Sequence, residues 1–136
     1  MASQLEAMLS EAPSMATSLV CDIACHEHDL RGGLGRPGGR DADLVDQARQ
    51  TGVGLLDRRL RRAGAPGLRI LAGQTEWIVG PGGPVATLTV EPFALFRTLF
   101  GRRSRAQMAT FSWAGDPDPY LRHLGLFPPA DVDLDE

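Results

Sequence analysis

Apolar residues change their period at Gly64-Ala65-Pro66, and the expected architecture follows from that switch. Before it, Met15, Leu19, Ile23 and Leu30, then Leu44, Val45, Ala48, Val53, Leu56 and Leu60, recur at the three-and-four spacing of helices. After it, Leu68-Arg69-Ile70-Leu71-Ala72, Glu76-Trp77-Ile78-Val79 and Val85-Ala86-Thr87-Leu88-Thr89-Val90 read as strands. They are separated by turns at Gly73-Gln74 and Gly80-Pro81-Gly82-Gly83. Two such periods in series give an α+β chain: N-terminal helices, a three-stranded antiparallel sheet with one covered face, and C-terminal helices packed on it.

The helix boundaries are written in breakers and caps. A short helix over residues 2–10 is expected to stop at Ala12-Pro13, and a second to run from Ser14 to Gly32. Asp41 caps a third that reaches about Arg62, with Arg58, Arg59, Arg61 and Arg62 at its negative end. Pro92 opens a helix carrying Phe93, Phe96, Leu99 and Phe100. Ser104-Arg105-Ala106-Gln107 has capping-box spacing and starts another, and Asp118-Pro119 opens a last short one that ends at Gly125. This divides the chain into residues 1–40 (helices and a glycine-rich turn), 41–126 (an α/β domain) and 127–136 (an acidic tail expected to be disordered).

Composition narrows the function classes. A net charge of −3 argues against a nucleic-acid surface, and no apolar run approaches a membrane span. No secretory leader is read at the N-terminus, so the expected location is the cytoplasm, where Cys21 and Cys25 stay reduced. All 14 basic residues are arginine, which removes Schiff-base chemistry on lysine.

Titratable groups concentrate in Asp22-Ile23-Ala24-Cys25-His26-Glu27-His28-Asp29. On a helix Asp22 and His26 stand one turn apart, a spacing that suits two ligands of one metal or a carboxylate-oriented imidazole for proton transfer. The plain alternative is a half-buried histidine paired to a carboxylate, with His28 solvated. Cys21, Cys25 and His28 also share a face and offer a zinc set, against the default of small buried thiols. Arg102, Arg103 and Arg105 cluster at a helix junction suited to an anion. Trp77, Phe96 and the other aromatics belong to the core or line an apolar pocket beside it.

The segments Asp22-Ile23-Ala24-Cys25-His26, Glu27-His28-Asp29-Leu30-Arg31 and Leu99-Phe100-Gly101-Arg102-Arg103-Ser104 resemble the C-terminal half of mycothiol-dependent maleylpyruvate isomerase-like proteins. Those proteins join a DinB-type four-helix bundle to a small α/β domain. The resemblance spans about residues 14–125 and implies an isomerase-, cyclase- or lyase-type enzyme acting on a small carboxylate-bearing organic molecule. It implies Asp22 and His26 as catalytic groups or ligands of a divalent metal such as zinc. Arg102 is then the substrate clamp, with Arg103, Trp77 and Phe96 beside the substrate. A third metal ligand comes from an earlier bundle helix in the family, so here it falls to another chain, a homodimer partner or a helical-bundle partner. Mycothiol use is a family trait that depends on the same bundle. Two other classes compete: a non-catalytic module holding an apolar ligand, similar to a sterol-carrier-type fold, and an interaction protein docking on a helical bundle.

Overall fold

The structure is a computed structural model that describes the backbone of residues 2–134 and the side chains from Met15 onward. Elements follow in the order α1 (Ala2–Gly33), α2 (Asp43–Ala63), β1 (Gly67–Ala72), β2 (Thr75–Val79), β3 (Pro84–Thr89), α3 (Pro92–Leu99), α4 (Arg105–Ala109), β4 (Ser112–Ala114) and α5 (Asp118–Leu121). The chain is α+β and forms two compact units, one up to Ala48 and one from Arg49 on.

In the first unit α1 is one helix, and Pro13 lies inside it rather than between two helices. Its buried face is Cys21, Ala24, Cys25 and His28, small and polar side chains at i, i+3, i+4 and i+7. The apolar stripe read from the sequence is the exposed one, so His28 is buried where solvation was expected. The turn after α1 is held by Arg31, which pairs with Glu27 at 3.2 Å. Its guanidinium lies against Gly38 and Gly39. The first bonds of α2 run from Val45 N–H and Asp46 N–H to the Ala42 carbonyl. That makes Ala42 the cap, one residue past Asp41.

The second unit is built on a four-stranded sheet of order β2-β1-β3-β4. β1 pairs antiparallel with β2, as expected, but parallel with β3, and β3 pairs antiparallel with β4. The expected three-stranded antiparallel meander is therefore corrected to a mixed sheet with β1 inside it. The cause lies in the link between β2 and β3. Instead of folding β3 back on β2, residues 80–83 pass under the start of β1 at Gly67. A Cβ there would meet the Gly83 carbonyl oxygen at 2.9 Å and that of Pro81 at 3.1 Å. Only glycine admits that approach. Asp57 of α2 fixes the link, accepting the Gly80 N–H at 2.8 Å and Arg61 Nε at 3.0 Å. β4 has only three residues, too few for an alternation to show in the sequence.

The sheet buries Leu68, Ile70, Ala86 and Leu88, and helix α3 is buried along nearly its whole length from Phe93 to Leu99. Glu91 caps α3 by accepting the Phe93 and Ala94 N–H groups. Its rings form a ladder, Phe93 to Phe96 at 5.9 Å and Phe96 to Phe100 at 5.6 Å between centroids. Ser104 and Gln107 form the expected capping box of α4. Tyr120 of α5 ties back to the sheet, its hydroxyl donating to the Gly67 carbonyl at 2.8 Å. Its ring stacks on Trp113 of β4. The described part of the acidic tail is hydrogen-bonded to α4. Ser104 Oγ donates to Asp133, and Gln107 Nε2 donates to the Leu134 carbonyl at 2.9 Å.

Candidate anion cleft

α3 ends in a turn that sets the walls of a cleft. Arg102 N–H reaches back to the Arg97 carbonyl at 2.8 Å, and Gly101 occupies the left-handed position between them with φ +79°. A Cβ on Gly101 would lie 2.7 Å from the Pro128 carbonyl oxygen, so the segment after α5 runs tight against this turn. Leu126 N–H donates to the Leu99 carbonyl at 2.8 Å, and the Arg59 guanidinium donates to the Gly125 carbonyl. Phe127 packs its ring on Phe100 with centroids 6.2 Å apart.

Between this segment and helices α2, α4 and α5 lies a cleft of about 270 Å³. Met108, Leu121, Leu126, Phe127, Pro128 and Pro129 give it an apolar lining, and Arg59, Arg105 and Arg122 supply three guanidinium groups. No carboxylate is among its lining residues. In a chain of net charge −3 that is a local inversion of sign. His123 is not a lining residue of the cleft, but it lies in the field of two of these arginines. Burial, then the charges of Arg122 and Arg59, hold its imidazole below the ordinary histidine range and so favour the neutral form.

The residues singled out in the sequence fall elsewhere. Asp22 and His26 are both exposed on α1, one turn apart in the first unit, and no hydrogen bond or ion pair joins them. Among the described residues no group of three or more His, Cys, Asp or Glu side chains is placed to hold a metal ion. This includes the buried set Cys21, Cys25 and His28; burial, then Asp22, pushes the Cys21 thiol up, toward its protonated form. In the second unit Arg102 donates to the Phe100 carbonyl, and Arg103 is buried with Nη1 on the Arg102 carbonyl at 2.8 Å. Both serve the turn after α3, while Arg105 alone of that cluster lines the cleft. Phe96 is fully buried in the ring ladder, and Trp77 is half-buried on edge strand β2 opposite Ile70. Neither lines the cleft.

Arg59 and Arg122 carried no functional signal in the sequence. Arg59 read as a dipole-stabilising residue of the third helix, and Arg122 sat at the end of a short one. Only the packing of α2 and α5 around residues 125–129 brings them beside Arg105. Among the described residues no helix is long and apolar enough to cross a membrane. No family model, curated protein or solved structure matches this chain.

Proposed function

We propose that the chain binds a small organic anion, a carboxylate on an apolar body, in the cleft of Arg59, Arg105 and Arg122. The observation that supports this is that Arg59 of α2, Arg105 of α4 and Arg122, just after α5, line one cleft together with apolar side chains and no acid. Guanidinium forks match carboxylate geometry, and the apolar wall takes the rest of the ligand. The substrate class is the one implied by the resemblance to maleylpyruvate isomerase-like proteins, with the clamp moved from Arg102 to this trio.

Benzoate is a suitable probe, with benzamide as its uncharged counterpart and inorganic phosphate as an anion lacking the apolar body. Calorimetric titration is expected to show benzoate binding at one site and no measurable binding of benzamide. Arg122→Gln and Arg105→Gln should each weaken benzoate about tenfold or more, since a hydrogen bond to a charged group contributes roughly 1.5–3 kcal/mol. Affinity unchanged in both variants, or phosphate preferred to benzoate, would remove the reading.

A further inference from the structure

One wall of the cleft and the acidic segment beyond it are a single stretch of chain, held at both ends. At the near end Leu126 N–H bonds the Leu99 carbonyl at 2.8 Å, and Phe127 lies on Phe100. Ala130 N–H bonds the Arg103 carbonyl at 3.2 Å farther along. Between the two, Pro128 and Pro129 have no N–H to anchor, and their fixed φ makes the run stiff. A displacement at Ala130 is therefore passed to Phe127 and Leu126 rather than absorbed on the way.

Beyond Ala130 the chain is clasped to the capping box of α4. Gln107 reads the Leu134 residue from both sides: its Nε2 donates to the Leu134 carbonyl at 2.9 Å, and its Oε1 accepts the Leu134 N–H at 3.4 Å. Ser104 Oγ donates to Asp133. Toward the helix the same two side chains act as acceptors, Ser104 Oγ of the Gln107 N–H and Gln107 Oε1 of the Ser104 N–H. Their donors, a hydroxyl and an amide N–H, are thereby turned to residues 133–134. Arg105 of the cleft directly follows Ser104, so clasp and cleft share the first turn of α4. Asp131, Val132 and Asp133 are exposed, and the clasp rests on hydrogen bonds rather than on apolar burial, the construction of a segment that opens locally.

We infer that residues 126–134 are a strap that opens and closes the cleft. The capping box of α4 holds it shut, and its release carries away the wall formed by Leu126 to Pro129. The link to an anion rests on the proposed carboxylate site: a ligand that needs this wall binds the clasped form, and so tightens the clasp from the far end of the strap.

Amide hydrogen exchange on the full chain tests the strap. Gln107→Glu keeps the capping-box acceptor but sets a carboxylate against the Leu134 carbonyl, so it undoes the clasp and spares the helix. Ala130 and Leu126 N–H should then exchange about tenfold faster or more, and by the same factor. Met108 N–H, bonded to the Ser104 carbonyl at 3.0 Å within α4, should not change. Asp133→Ala should act alike through the other contact. In the wild type, benzoate at about a hundred times its Kd should slow both amides roughly a hundredfold, although Ala130 is not a lining residue of the cleft. Faster exchange at Ala130 with Leu126 unchanged would overturn the inference, as would no change at either amide in both variants. So would benzoate that binds by calorimetry without slowing Ala130. Absence of benzoate binding would remove the carboxylate reading alone, because the ligand-free comparison still decides whether clasp and wall open as one.

Discussion

His123 and Tyr120 sit three residues apart on and just after α5, and each makes a local argument that can be checked alone. Arg122 and Arg59 disfavour the charged form of His123, and an anion bound between those arginines cancels part of their field. Benzoate should therefore move the His123 titration upward, a shift visible in the imidazole carbon-bound proton signals and absent with benzamide. No change on saturation would detach His123 from the site. Tyr120 is fully buried, and burial, then Asp116, pushes its phenol above the ordinary range. The unfolded chain releases the phenolic proton first, near pH 10, so it binds fewer protons than the folded chain and stability falls as pH rises through that value. Tyr120→Phe removes this alkaline loss but leaves the Gly67 carbonyl without its donor, which should cost about 1 kcal/mol in denaturant unfolding at pH 7.

At the scale of elements, the legible parts were those governed by local rules. The Ser104 capping box, Pro92 at the start of α3 and the strand β1 all follow from residues within one turn or one alternation, and all stand in the structure. The parts that were not legible depend on residues distant in sequence. The parallel pairing of β1 with β3 rests on the link over Gly67, and a Gly-Pro-Gly-Gly turn reads the same whether it folds a strand back or carries it past a neighbour. α1 misled in another way: its strongest apolar period marks the exposed face, and small residues mark the buried one. The turn after α3 carries a sharp prediction. Gly101→Ala puts a side chain into the left-handed region and 2.7 Å from the Pro128 carbonyl oxygen. It should cost at least about 1–3 kcal/mol in stability and also weaken benzoate, because the clash displaces the cleft wall. Unchanged benzoate affinity in a destabilised variant would separate the turn from the site.

Across the whole molecule, the sequence directed attention to the densest cluster of titratable groups, while the structure assembles its cleft from scattered arginines. Asp22 and His26 looked chemical because they are close in sequence. Arg59, Arg105 and Arg122 come together only when three helices meet around residues 125–129. Of the arginine cluster read from the sequence at the helix junction, Arg105 lines the cleft, while Arg102 and Arg103 hold the turn after α3.

Carboxylate binding in this cleft is read by a two-dimensional amide spectrum of the labelled full chain, followed through a benzoate titration. Saturable shifts centred on Arg59, Arg105, Arg122 and the segment 125–129, lost in the combined Arg105→Gln and Arg122→Gln variant, are the predicted result. Shifts centred instead on Asp22 and His26, or a spectrum unmoved by benzoate, would contradict it.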